Sequence, residues 1–243
     1  MLLMYEWLLP RASAVRKLDL NFSDSRKRRG YQHHYSLLPW RWVQALVVVV
    51  RAASFNLEAL SIELSGGYES DKQAVLAAQS CHRLKRAIES CDRLKELDIQ
   101  VQKFGGRLLS LLELGALPAS LERLVVDAPD DRPAGTDRPT NLVNAQEGGS
   151  HLDLACLGRL TRLVHVHLHV PVHLLRVPAA LPHVTSLHLS CKEMTFSQGL
   201  GMPDLQHLCL NQHDGGSIQL PALLGLTTVT SLAIGGKLLR MTG

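Results

Sequence analysis

Aromatic side chains are scarce: Phe, Trp and Tyr make up only 5% of the 243 residues, so any core must be aliphatic. An excess of one charge is also lacking. Lys+Arg number 26 against 22 for Asp+Glu, and the resulting +4 is too small to imply a nucleic-acid partner. Cysteines are few and odd in number. Cys81, Cys91, Cys156, Cys191 and Cys209 include no C-x-x-C spacing, which argues against a disulfide framework and for a reducing compartment, the cytoplasm or the nucleus. No apolar run approaches the roughly 20 residues of a membrane span, so no membrane partner is expected. The longest, Val43 to Val50, is broken by Gln44 and closed by Arg41 and Arg51. Ala12-Ser13-Ala14 mimics a signal-peptidase site, but no basic stretch precedes it and Glu6 interrupts the apolar residues, which argues against secretion. Enzyme signatures are missing too: there is no G-x-S-x-G, H-E-x-x-H or G-x-G-x-x-G, and Leu238 follows Gly236-Lys237 where a phosphate loop needs Ser or Thr. No catalytic residue and no cofactor are expected.

Leucine is what the chain has in excess, at 47 positions. These leucines fall into a hexad, apolar-x-x-apolar-x-apolar, that recurs from end to end. The copies begin at Val15, Leu57, Leu94, Leu121, Leu163, Val184, Leu205 and Val229. Their central apolar residues, Leu18, Leu60, Leu97, Leu124, Val166, Leu187, Leu208 and Leu232, are spaced by 42, 37, 27, 42, 21, 21 and 24 residues. The final x-apolar-x-apolar of each hexad alternates at period two, the mark of a short strand with one buried face. A single unit cannot bury its leucines alone, so units must stack and align their strands in parallel.

The pattern resembles the leucine-rich repeat family, and the resemblance covers essentially the whole chain. It implies an α/β solenoid with about eight short parallel strands on a concave side and helices or 3-10 turns on the convex side. Ala74 to Ser90 has helical character, whereas the 21-residue steps and Pro178, Pro182, Pro203 and Pro221 leave no room for a long helix. The Asn or Cys that usually follows the core leucines is replaced by Ser23, Ser65, Gln102, Pro129, Pro171, Lys192, His213 and Lys237, so the family's asparagine ladder is absent. Residues 1–126 form an irregular N-terminal half, 127–150 a Pro/Gly/Asp-rich loop or linker, and 151–243 a regular C-terminal half of one continuous solenoid. A second insert holds the basic run Arg26-Lys27-Arg28-Arg29, read as a solvated loop.

Side chains alternate faces along a strand, so the outward positions can be written out. They give an acidic and polar half with Asp19, Glu63, Glu96, Asp98, Arg123 and Asp127. A histidine half follows, with His165, His167, His169, His188, His207 and the outward Cys209. These twelve residues are the expected partner-binding surface. An alternative use of the histidine half is zinc binding by His167, His188 and Cys209 with His165 or His207, or pH sensing by imidazoles that charge together below neutrality.

Residues Glu6 to Leu20 resemble the segment that follows the F-box in F-box/leucine-rich-repeat proteins, the substrate receptors of SCF-type ubiquitin ligases; the F-box itself is not in the sequence. The resemblance implies a non-catalytic module that binds a protein partner. The stretch after Ile234 is too short for a full return segment, which predicts an uncapped apolar edge and self-association.

Overall fold

A computed structural model describes residues 9–22, 40–65, 79, 82–102, 117–128, 151–170, 174–177, 181–191, 193–196, 201–212 and 226–235. The run Arg26–Arg29, Cys81, most of residues 74–81, residues 129–150 and the stretch after Gly235 lie outside them. In chain order the strands are β1 (Lys17–Phe22), β2 (Ala59–Ser65), β3 (Glu96–Gln102), β4 (Arg123–Asp127), β5 (His151–Asp153), β6 (His165–His169), β7 (Leu174–Val177), β8 (Ser186–Cys191), β9 (Glu193–Phe196), β10 (His207–Gln212) and β11 (Ser231–Gly235). Helix α1 spans Trp40–Ala53, residues 82–89 are helical, and 3-10 segments cover Leu9–Ala14 and Leu154–Arg159.

The architecture is α/β, built on a large parallel sheet of eight strands in the order β1-β2-β3-β4-β6-β8-β10-β11. Each hexad supplies one of these strands, and their central apolar residues are in register from Leu18↔Leu60 to Leu208↔Leu232. One backbone device repeats at every join. The carbonyl of the second hexad residue accepts from two successive N–H groups of the next unit: Arg16 O from Glu58 and Ala59, Glu58 O from Lys95 and Glu96, and so on to Gln206 O from Thr230 and Ser231. Hydroxyls reinforce the same joins. Ser120 Oγ donates to Leu94 O at 2.7 Å and Thr228 Oγ1 to Leu205 O at 2.8 Å, the same relation one residue before each hexad. These bonds satisfy the carbonyls that lead into each strand.

The apolar hexad positions form a continuous aliphatic core. Leu57, Leu94, Leu121, Leu60, Leu97 and Leu124 are all essentially inaccessible, as are Leu168, Leu189 and Leu210 further along. Against the N-terminal strands lies α1, whose Leu46, Val49, Val50 and Ala53 are buried. The β-branched run within it has low helix propensity, so this burial is what keeps it helical.

The return segments differ in one respect from the expected helices and 3-10 turns. β5, β7 and β9 form a second, smaller parallel sheet. The alternating Leu175 and Val177 are buried in β7, as is Met194 in β9. Where units are only 21 residues apart, neighbouring return segments lie close enough to pair their own backbone groups. The expected linker is also shorter at its start. Asp127 belongs to β4, and the buried Ala128 donates its N–H to His169 O at 2.7 Å. β4 pairs directly with β6, so the large sheet is continuous across the intervening residues.

Candidate functional site

The outward positions of the eight strands form three parallel rows on one face. The pairings align the central row as Asp19, Ser61, Asp98, Val125, His167, His188, Cys209 and Ala233. The row before it holds Glu96, Arg123, His165 and His207, and the row after it holds Glu63, Asp127 and His169. All twelve sequence-derived candidates therefore share this face. Asp19, Glu96, Arg123, His165 and His207 are exposed; Glu63, Asp98, Asp127, His167, His169, His188 and Cys209 are half-buried. The alternation follows from the period-two pattern, in which the central-row side chains sit between two inward aliphatic ones.

The acidic half contains a cavity of about 250 Å³. Small residues on β2, Ala59 and Ser61, form its floor, and the larger side chains of Lys17 and Asp19 on β1 and Glu96 and Asp98 on β3 form its walls. Asp98 Oδ1 accepts from Gln100 Nε2 at 3.4 Å, and Glu63 accepts from Asn21. The side chains of Lys17, Asp19, Glu96 and Arg123 form no ion pair or hydrogen bond among the described residues. Once the strand order is known, two small residues between charged neighbours mark the cavity, a signal of size that an inventory of charge passes over.

The histidine half begins with a close contact across the β4–β6 pairing: His169 Nδ1 lies 2.9 Å from Asp127 Oδ1. Beside it the rings of His167 and His188 stack with centroids 4.1 Å apart and planes tilted by 54°. Burial on the sheet lowers the pKa of both imidazoles below the ordinary value; for His167 the Asp127 carboxylate opposes this, and for His188 the neighbouring His167 adds to it. Both rings are therefore neutral at pH 7, and they charge at a lower pH than free imidazoles would. Desolvation pushes the Cys209 thiol up, so its position beside His188 does not create a thiolate nucleophile.

His167, His188 and Cys209 are consecutive in the central row, yet among the described residues no group of three or more His, Cys, Asp or Glu side chains is arranged to hold a metal ion. Side chains from in-register strands project side by side, whereas tetrahedral zinc needs ligand atoms converging to about 2.0–2.3 Å of one point. The zinc reading is set aside on this geometry. Of the other cysteines, Cys91 and Cys191 are buried with thiols pushed up to about 12 by desolvation, and they pack as small apolar groups.

Among the described residues no helix is long and apolar enough to cross a membrane. Comparison of the chain with protein-family models, with curated proteins and with solved structures finds no match.

Proposed function

We infer that the protein is a leucine-rich-repeat solenoid that captures a protein partner on the concave face of its large sheet and performs no catalysis. The observation that carries this reading is the accessibility of that face. In its three outward rows Ser190 alone is buried, while the inward hexad positions within β1 to β10 are buried except Leu20 and Ile99, which are partly buried. A sheet face with polar and charged groups on eight aligned strands gives a partner many separate points of contact on a stiff support. Among the described residues Lys17, Asp19, Glu96 and Arg123 form no ion pair, and such charges can match those of a partner.

Photocrosslinking tests this reading. With benzoylphenylalanine at Val125, in the centre of the face, saturable adducts with a protein partner are expected in an extract of the source cells. The same probe at the exposed Arg159, on the 3-10 segment outside the large sheet, serves as control. Equal labelling from both positions, or none from Val125, overturns the reading.

A finer form of the proposal makes the chain the substrate-recognition part of an SCF-type ubiquitin ligase receptor. Its support is the resemblance of residues Glu6 to Leu20 to the segment that follows an F-box. Co-purification with the ligase's adaptor subunit supports this form. Failure to bind the purified adaptor overturns it and leaves the partner-binding proposal standing.

A further inference from the structure

The cavity in the acidic half has room for one long side chain. Its volume of about 250 Å³ lies below the roughly 300–1,000 Å³ of small-molecule pockets. The floor is Ser61, and its direct neighbours in the pairing are Asp19 on one side and Asp98 on the other. The two aspartates thus stand across a single intervening strand, about 9.5 Å apart at the backbone, and face each other over a hydroxyl. Asp19 has no hydrogen-bond or ion-pair partner among the described residues, and Asp98 accepts one hydrogen bond there, from Gln100, and acts on His167 only through its charge. The adjacent row mixes signs, with Lys17, Glu96 and Arg123, whereas the central row carries only the negative charges of Asp19 and Asp98 at the cavity.

We propose that this cavity seats an arginine side chain of the bound protein, with the guanidinium held between Asp19 and Asp98 above Ser61. The inference rests on the reading of this sheet as a protein-binding face and names the chemistry of the contact. A guanidinium presents donors on opposite edges of a rigid plane, so it can serve two opposed carboxylates at once. A lysine ammonium is a compact point charge and reaches one of them well. A metal ion does not substitute, because no set of three ligands is assembled among the described residues.

The test is an amide-resolved NMR titration of the full chain with the peptide acetyl-Gly-Arg-Gly-amide, against the same peptide carrying citrulline, the neutral isostere of arginine. Saturable shifts at Ala59, Ser61 and Asp98 are expected with the arginine peptide. They weaken at least about tenfold with citrulline, and likewise in the Asp19→Asn/Asp98→Asn variant, as loss of charge-assisted hydrogen bonds requires. The citrulline arm needs no folded variant, so it decides the matter even if the double variant is unstable. Equal shifts with both peptides, or shifts confined to other parts of the sheet, overturn the proposal. Crosslinking at Val125 separates the two levels. A chain that crosslinks its partner there but ignores the arginine peptide loses the arginine seat and keeps the binding face, whereas failure of both removes both.

Discussion

Gln212 ends β10 on its core side, 4% exposed, and both its side-chain nitrogen and its oxygen lack hydrogen-bond partners among the described residues. A dry, unsatisfied amide costs about 1–3 kcal/mol, and methionine fills a similar volume without it. Gln212→Met is therefore expected to raise stability by about 1 kcal/mol. The check is a higher urea midpoint at unchanged slope; a lower midpoint refutes it. The histidines supply a second prediction at this scale. Since burial lowers the His167 and His188 pKa values in the folded chain, the unfolded chain takes up their protons first as pH falls. Their contribution is complete above the unfolded value near 6.5 and is lost as pH drops through it toward the lower folded values. His169, Asp127, Asp98 and Arg123 act on these rings as well, with Asp127 moderating the shift on both. The wild type should lose more of its urea midpoint between pH 7.5 and pH 5.5 than His167→Gln/His188→Gln does; equal losses count against this assignment. Which residues face outward was legible from period-two alternation alone. The Asp127–His169 pair and the Ser61 floor were not, because they depend on which strands become neighbours and on the size of each neighbour's side chain.

At the scale of elements, the recurring join between units invites a direct probe. The Ser120 hydroxyl donates to Leu94 O, bridging the units of β3 and β4 at a part-buried position. Ser120→Ala leaves that carbonyl without its hydroxyl and is expected to cost about 0.5–1.5 kcal/mol, read as a lower urea midpoint; an unchanged midpoint means water replaces the bond fully. By contrast, Glu58 bridges Arg16 at 3.7 Å and Lys95 at 3.5 Å near the surface, where such pairs are worth about 0–1 kcal/mol. The eight strands of the large sheet were legible because each hexad carries its own alternation. Residues 82–89 were legible as helix from their apolar spacing and good helix formers. α1 was not, since four consecutive valines, Val47 to Val50, look like a strand when read alone and are held helical by burial against the units around them. The small sheet of β5, β7 and β9 was hidden for a related reason. A four-residue segment such as Leu174–Val177 becomes a strand only when the adjacent return segments present their backbones to it.

At the scale of the whole molecule, the two edge strands of the large sheet differ in how the described residues cover them. At the β1 end, Leu18 is 7% exposed, and buried residues of the Leu9–Ala14 segment and α1 belong to the same core cluster. At the β11 end, Leu232 occupies the position that Leu187 and Leu208 fill at 1% and 2% exposure, yet it is itself 57% exposed. Among the described residues β11 pairs with β10 alone, and Leu232 lies uncovered beside that edge. Such an edge is a template for another chain, and β11 carries no charged residue to discourage one. The expected occupant is the same edge of a second copy, which buries both Leu232 side chains at once. Concentration-dependent self-association should therefore be seen by light scattering, and Leu232→Lys should shift the population toward monomer because it removes apolar area and sets two like charges face to face. Leu232 contributes little burial to the single chain, so the variant should keep the circular dichroism and urea midpoint of the wild type. A wild-type chain that stays monomeric at high concentration refutes an open edge. Self-association that survives Leu232→Lys unchanged places the contact elsewhere on the molecule.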